Sequence, residues 1–242
     1  MIEGIYPIFQ EKWKNYQTFW IISDPHFNDK ELAAAINRPG AQELVDNINS
    51  KVGRKDLLIC LGDVCDVDCV RRLRGYKVLV MGNHDAGRTN YERVVEVIKL
   101  DKEKYTKEEA YALLTCRYPG WKIRIETSYT FWKATVDNCL FDEVYSGPIT
   151  IGEKLILSHE PVDVPWAFNI HGHIHDSKHK NDKRHFNVCF DVIGYTPINM
   201  NQWMKQGYLS HIETIHRTII DKATERKKKR DERTFNNHGQ QR

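Results

Sequence analysis

The sequence predicts an α/β fold whose early strands run parallel. Short apolar runs recur along the 242-residue chain, and Gly, Asp, Asn or His bounds them. Runs of four or five residues are typical of buried strands rather than helices. Helical patterns separate the first three runs, and such alternation favours a parallel arrangement. The predicted strands are Phe19–Ser23, Leu57–Leu61, Lys77–Met81, Lys154–Ser158, Phe168–His171 and Phe186–Phe190.

The helices predicted between the first three strands are Glu31–Asn37, Ala41–Val52 and Cys69–Arg74. Arg38-Pro39-Gly40 separates the first two of these helices, because proline and glycine interrupt helical structure. After the third strand the alternation lapses. Tyr91–Leu100 is predicted as a helix. A capping box at Thr106–Glu109 opens another helix that ends near Cys116.

The remaining patterns define the predicted domain organisation. Apolar residues alternate at Trp121, Ile123 and Ile125, which predicts a strand. A last helical pattern begins near Ser210 and continues into a charged segment. We therefore predict a single domain over residues 1–216, with an insertion at about 88–138. Residues 217–242 are predicted to be a basic, charged helix end or tail.

Composition and charge exclude several classes of protein. Hydrophobic residues make up 40% of the chain, but no apolar run is long enough to span a membrane. The net charge is +3, and residues 218–242 contain eight basic and four acidic residues, which leaves −1 for the rest. Only the tail could therefore bind nucleic acid as a basic patch. With no recognisable signal peptide, we expect a cytoplasmic protein with reduced cysteines and no membrane partner.

Polar side chains follow five of the predicted strands, at the edge where open α/β sheets bind their ligands. Asp24 and His26 are two residues apart, as are His173 and His175, and such residues project to the same side of an extended segment. Each pair can therefore hold one ion. The full set of oxygen and nitrogen donors is Asp24, His26, Asp63, Asn83, His159, His173 and His175.

This donor set favours certain metals. It suits Mn²⁺, Fe²⁺ or Zn²⁺ and is too rich in nitrogen for Ca²⁺ or Mg²⁺ alone. Seven donors are too many for one tetrahedral ion, and they suit two ions that share a carboxylate. We expect two divalent ions, with Mn²⁺ preferred and Fe²⁺, Zn²⁺ or Ni²⁺ as alternatives.

Together these residues resemble the five motifs of the calcineurin-like metallophosphoesterase superfamily, in order, over roughly residues 19–195. The motifs are Asp24-x-His26, Gly62-Asp63-x-x-Asp66, Gly82-Asn83-His84-Asp85, His159 and Gly172-His173-x-His175. Other segments are similar to a small bacterial and phage branch of phosphoesterases, namely Ser23–Phe27, Arg38-Pro39, Ser158–Pro161, His171–His175 and Asn187–Asp191. The resemblance implies a four-layer α/β/β/α sandwich of two mixed sheets flanked by helices.

The resemblance also implies a metal arrangement. It assigns Asp24, His26 and His175 to one metal and Asn83, His159 and His173 to the other, with Asp63 bridging the two. A hydroxide that bridges the metals would attack phosphorus, because both ions lower its pKa.

Other roles follow from the same resemblance. His84 would serve the leaving-group oxygen as a general acid or as a stabilising cation. Asp66 would orient His84, and Asp85 would brace the loop. Arg38 could offer a bidentate fork to a substrate phosphate, although a plain loop position before Pro39 is an equal alternative.

Residues that differ between this chain and one branch of the superfamily restrict the class of substrate that we predict. Val67 and Asp85 occupy positions where protein Ser/Thr phosphatases carry other residues. His84 is kept, as in many phosphodiesterases and nucleases of the superfamily. We therefore predict hydrolysis of a phosphodiester in a nucleotide or nucleic acid. The alternatives are a small-molecule phosphomonoesterase and a non-catalytic interaction module of the same fold, which the intact donor set disfavours.

Overall fold

The computed structural model describes residues 7–9, 18–87, 90–175 and 181–239. The strands are β1 (Phe19–Ile22), β2 (Leu57–Cys60), β3 (Tyr76–Val80), β4 (Val95–Asp101), β5 (Lys122–Thr127), β6 (Phe131–Asp137), β7 (Glu143–Tyr145), β8 (Ile149–Ile151), β9 (Leu155–Leu157), β10 (Phe168–His171), β11 (His185–Asn187) and β12 (Ile198–Asn199). The helices are α1 (Lys30–Ile36), α2 (Ala41–Lys51), α3 (Val67–Arg72), α4 (Lys107–Arg117), α5 (Met200–Lys205) and α6 (Ile215–Gly239).

Two mixed sheets form the body of the molecule. The first has the order β12-β1-β2-β3-β7, and the second has the order β11-β10-β9-β8. In the first sheet β1, β2, β3 and β7 are parallel and only β12 is antiparallel to its neighbour. In the second sheet β8 is antiparallel to β9, and the other pairs are parallel. The predicted α/β fold with mixed sheets and parallel early strands is confirmed.

The first sheet is covered on both faces, which explains why β1 and β2 are apolar throughout and why β3 is apolar except at Lys77. Side chains of β1, β2 and β3 alternate between two cores. One core lies between the two sheets and contains Phe19, Ile59 and Val78. The other contains Leu58 and Leu79 and packs against helices α2 and α3. The period of two therefore places every second residue of each strand in a different core.

The segment between β3 and β7 forms a third, antiparallel sheet with the order β4-β6-β5. Helix α4 packs on it through Leu114, and the capping box at Thr106 and Glu109 is present as predicted. The helix predicted at Tyr91–Leu100 is wrong, because Val95–Asp101 is strand β4 and pairs with β6 over its whole length. β-branched residues such as Val97 and Ile98 favour a strand once a partner is available.

The chain ends in helix α6, which begins at Ile215 rather than near Ser210. The predicted tail boundary at residue 217 lies inside this helix, and residues 240–242 lie outside the described part of the chain. Among the described residues, no helix combines the length and the apolar character that crossing a bilayer requires.

Candidate metal centre

The seven predicted donors lie on the loops that follow β1, β2, β3, β9 and β10, where the two main sheets meet. In the first group, Asp24 Oδ1 is 3.8 Å from His26 Nε2 and 3.6 Å from His175 Nε2. The carboxylate of Asp63 lies beside this group, with its Oδ2 3.5 Å from His26 Nε2. Two ligands about 2.1 Å from one ion lie roughly 3–4 Å apart, depending on the angle between them, so these separations fit a shared ion.

The second group adjoins the first through Asp63. His159 Nε2 is 3.4 Å from Asp63 Oδ2, 2.9 Å from Asn83 Oδ1 and 3.1 Å from His173 Nδ1. One carboxylate oxygen therefore faces a histidine of each group. The structure brings all seven predicted donors together in one continuous cluster.

Backbone N–H groups hold both carboxylates in place. The N–H of His173 donates to Asp24 Oδ2 at 2.8 Å, and the N–H of His84 donates to Asp63 Oδ1 at 2.9 Å. In each case the loop that carries other donors fixes one oxygen. The second oxygen of each carboxylate is thereby directed toward the histidines.

Hydrogen bonds at the ring nitrogen Nδ1 fix the orientation of two of the donor histidines. His159 Nδ1 donates to the carbonyl of Leu61 at 2.8 Å, which leaves its Nε2 lone pair facing the cluster. His175 Nδ1 is 3.1 Å from both carboxylate oxygens of Asp191. Burial lowers the pKa of His26 in spite of Asp24 and Asp63 nearby, which favours the neutral form of its ring. Neutral rings with a fixed tautomer are the form that binds metal ions.

These residues fit divalent cations. Asp24 Oδ1 and His26 Nε2 are buried and have no hydrogen-bond partner among the described residues. Buried polar atoms without partners are costly, and a carboxylate oxygen even more so. A cation would satisfy both atoms at once. The orphaned pair therefore matches the donor chemistry that the sequence predicts.

The backbone of the cluster is held in an unusual conformation. Asp24, His26, Asp63 and His173 have positive φ values of 53°, 37°, 52° and 66°. Left-handed backbone at non-glycine residues costs on the order of 1–3 kcal/mol each and concentrates at functional sites. Hydrogen bonds between the loops stabilise it, among them His26 N to Asp63 O at 2.9 Å.

Two glycines leave room for the carboxylates. A Cβ at Gly82 would overlap Asp63 Oδ1, and a Cβ at Gly172 would overlap Asp24 Oδ2 and Ser23 Oγ. Because these contacts involve fixed and buried groups, a side chain cannot be accommodated without moving the donors.

We expect Gly172→Ala to destabilise the protein by on the order of 3 kcal/mol, since the added methyl group displaces Asp24 and Ser23. The measurement is urea denaturation followed by circular dichroism, in the presence of a chelator. Gly147→Ala is the matched control, because a Cβ there meets nothing within 4 Å. Equal stability of the two variants would show that the loop relaxes freely around Gly172.

Asp85 connects the loops that follow β2 and β3. Its carboxylate accepts hydrogen bonds from the backbone N–H groups of Asp63 at 2.7 Å, Val64 at 3.0 Å and Gly82 at 3.0 Å. Burial raises the pKa of Asp85, against these three hydrogen bonds. The contacts agree with the bracing role expected for this residue.

Asp191 was not predicted as a site residue, yet it orients one of the donors. Burial alone would raise the pKa of Asp191, but its hydrogen bond with His175, the charge of that ring and the hydrogen bond from Cys189 together lower the pKa. The hydrogen bond with Asp191 raises the pKa of His175. The buried thiol of Cys189 donates to Asp191 Oδ1 at 3.3 Å, and burial raises the pKa of that thiol.

Asp191→Asn should weaken metal binding about 10–100-fold, because an amide holds the imidazole less firmly and makes it a weaker base. Metal titration of the purified protein measures this loss directly, and excess metal should restore turnover. Asp182→Asn is the control, because Asp182 forms a similar pair with His185 at 2.9 Å on the surface. Unchanged metal affinity in Asp191→Asn would remove Asp191 from the site.

Two further predicted residues, His84 and Arg38, lie beside the donor cluster. His84 is half-buried and its ring centroid is 5.1 Å from that of His26. It lines a cavity of about 410 Å³ together with six of its neighbours in the site, namely His26, Asp29, Asp63, Asn83, His173 and His175. Arg38 is buried, and its Nη2 donates to the backbone carbonyl of Asp24 at 3.2 Å.

The structure gives Asp66 partners other than His84. Its carboxylate caps helix α3 by accepting from the N–H of Cys69 at 2.9 Å, and it accepts from Asn28 Nδ2 at 2.7 Å. His84 is not among its described contacts. The expectation that Asp66 orients His84 therefore finds no support in this geometry, since both carboxylate oxygens are already engaged.

The geometry first defines a class of protein, because paired groups of His, Asp and Asn donors that share a carboxylate belong to metal-dependent hydrolases. A family model described as "Calcineurin-like phosphoesterase" matches residues 17–220. The chain therefore belongs to the calcineurin-like phosphoesterase family, which comprises metal-dependent phosphoesterases that typically bind two divalent metals. The resemblance to the calcineurin-like superfamily found in the sequence is confirmed.

Comparison with solved structures found similarity to a chain described as "The Crystal Structure of the Protein of Unknown Function AQ665 from Aquifex aeolicus". The two are 20% identical with a TM-score of 0.47, and the match covers 78% of this chain and 98% of that chain. A comparison with curated proteins found no match.

Proposed function

We propose that this phosphoesterase hydrolyses phosphodiesters of nucleotides or nucleic acids with the help of two divalent ions, preferably Mn²⁺. One observation carries the proposal: His84 lines the same cavity as the donor cluster, beside His26 and Asp63. When water attacks the phosphorus of an alkyl diester, the bond to one ester oxygen breaks and an alkoxide leaves. That alkoxide needs a proton, which an imidazole at this position can supply.

In this proposal Asp24, His26 and His175 hold one ion, Asn83, His159 and His173 hold the other, and Asp63 contacts both. When bound, the ions activate water and neutralise charge on the phosphoryl oxygens. The orphaned atoms Asp24 Oδ1 and His26 Nε2 support this assignment.

The protein's own groups position the substrate and move the proton. The backbone N–H of His84 donates a hydrogen bond to Asp63 Oδ1, which fixes the backbone that carries the imidazole next to the donors. Its ring nitrogen holds a proton and delivers it to the leaving-group oxygen. Leu32 and Ala35 of helix α1 form an apolar wall of the cavity, where the organic part of a substrate can rest.

The size of the cavity is compatible with the diester preference that we propose. A diester carries a second organic group, and about 410 Å³ next to the donors leaves room for it. Protein loaded with Mn²⁺ should therefore cleave bis(p-nitrophenyl) phosphate with a kcat/KM about tenfold or more above that for p-nitrophenyl phosphate, which corresponds to about 1.4 kcal/mol of differential transition-state binding.

Other outcomes of this assay point elsewhere. The reverse preference would identify a phosphomonoesterase. Metal binding without turnover of either ester would favour a non-catalytic interaction module, while loss of turnover with a chelator and its return with Mn²⁺ would support the metal-dependent reaction.

A further inference from the structure

A second cavity, of about 200 Å³, lies between helices α1 and α2 and borders the metal cavity. His26 and Asp29 line both cavities. The other charged residues that line the second cavity are Arg38 and Lys30. A group bound there would therefore be a close neighbour of one held at the donor cluster.

Arg38 is a buried cation with unused hydrogen-bond donors. Only 7% of the residue is exposed, and its Nε and Nη1 have no hydrogen-bond partner among the described residues. Its recorded partners are the backbone carbonyl of Asp24 and the face of the Tyr195 ring, 5.8 Å from the guanidinium carbon. Buried, charged N–H groups without acceptors are expensive to maintain. An anion would offset that cost.

Helix α2 begins at the same cavity, with an open N-terminus. Gly40 is its N-cap, and within the described part of the chain no side-chain hydrogen bond caps the first turn. The free N–H groups and the helix dipole favour negative charge at this point. The cavity's one carboxylate, Asp29, already caps helix α1 by accepting from the N–H of Leu32 at 3.0 Å. Positive groups thus converge on the cavity from two independent directions.

We propose that this cavity binds a second phosphate group of the substrate, one that is not cleaved. The proposal rests on the proposed function and deepens it. It names the substrate class as phosphodiesters that carry a further phosphate, such as an oligonucleotide with a 5′-phosphate. The guanidinium of Arg38, which lines the cavity, binds the phosphate oxygens, while the first turn of α2 and Lys30 contribute positive potential.

The first experiment counts phosphate ions bound to the full-length protein loaded with Zn²⁺, by calorimetric titration with inorganic phosphate. Wild type should bind about two per chain, one at the metals and one at Arg38. Gly40→Asp should bind one fewer, because its carboxylate caps α2 and places a negative charge in the cavity. A Cβ at Gly40 meets nothing within 4 Å, so this variant is expected to fold.

Matched variants separate the effect of the introduced negative charge from the effect of the added side chain. Gly40→Asn caps the helix without charge and should lower phosphate affinity far less than Gly40→Asp. Arg38→Met should remove the same site with about a tenfold or larger loss of affinity, since charged hydrogen bonds of this type contribute strongly. Arg74→Met is the control, because Arg74 is exposed and bonds the backbone of Asn49. Equal phosphate counts in wild type and Gly40→Asp would overturn the proposal.

The second experiment uses two thymidine dinucleotides that differ only in a terminal 5′-phosphate. The phosphorylated one should have a KM about tenfold lower, and Gly40→Asp should abolish that difference while it leaves bis(p-nitrophenyl) phosphate turnover unchanged. Equal KM values in wild type would refute the second phosphate site but leave the diesterase proposal intact. If neither dinucleotide is cleaved while Gly40→Asp still loses one phosphate ion, the diesterase proposal fails and the anion site stands.

Discussion

Asp63→Asn is expected to lose metal from both groups and to lower turnover by about 10³-fold. Its Oδ2 is 3.5 Å from His26 Nε2 and 3.4 Å from His159 Nε2, so one carboxylate serves both groups. The amide keeps an acceptor for the N–H of His84 but loses the negative charge. Metal-dependent charge stabilisation contributes several kcal/mol, and each 1.4 kcal/mol is about tenfold in rate.

Elemental analysis after reconstitution with Mn²⁺, together with turnover of bis(p-nitrophenyl) phosphate, tests this expectation. Asp46→Asn is the control, because Asp46 is exposed on helix α2 and accepts a hydrogen bond from Gln42. If the Asp63→Asn protein retains two ions per chain and full activity, the assignment of Asp63 to both ions is contradicted.

His84→Asn should have the second largest effect, and its size should depend on the leaving group. A nitrophenolate leaves readily without a proton, whereas a ribose alkoxide does not. General-acid assistance is typically worth about 10²–10⁴-fold. We therefore expect a loss of this order on nucleotide or alkyl esters and a much smaller loss on nitrophenyl esters, with metal content unchanged.

The comparison needs both classes of ester and a metal analysis of the same preparation. His211→Asn, at an exposed histidine, is the control and should change neither rate. Equal losses on all esters with both metals bound would leave His84 only a general electrostatic role. Lower metal content or a lower melting temperature would assign it a structural one. The carboxylate of Asp66 caps α3, so Asp66→Asn is expected to show at most a weak form of the leaving-group effect.

The strands and donors of the central sheet could be predicted because local pattern and tertiary environment agree there. The sheet that contains β1, β2 and β3 is covered on both faces, so these strands are apolar except at Lys77, and each run ends abruptly at polar residues. The same rule, applied one strand further, would have indicated Asp191, which follows the apolar run that ends at Phe190. The rule could not show its partner, since His175 lies sixteen residues away along the chain.

One prediction was wrong and another found no support in the geometry, because tertiary structure decided between local alternatives. The segment Tyr91–Leu100 has helical spacing, but β6 supplies a pairing partner for Val95–Asp101 that local sequence does not reveal. Asp66 occupies a motif position that suggests His84 as its partner, but it is also the N-cap of α3. Short-range capping by a carboxylate is strong enough to fix the side chain there.

The hydrogen bond from His159 Nδ1 to the carbonyl of Leu61 joins the loops that follow β9 and β2, and thus the two main sheets. Because the donors come from both sheets, ions can bind in full only when the sheets have docked. Metal binding and folding are therefore thermodynamically linked, and free metal at 100 times its Kd adds about 2.7 kcal/mol to the free energy of unfolding per site. Backbone amides where the two sheets meet should consequently exchange their hydrogens more slowly when metal is added. The metal concentration would then set how often the two sheets separate.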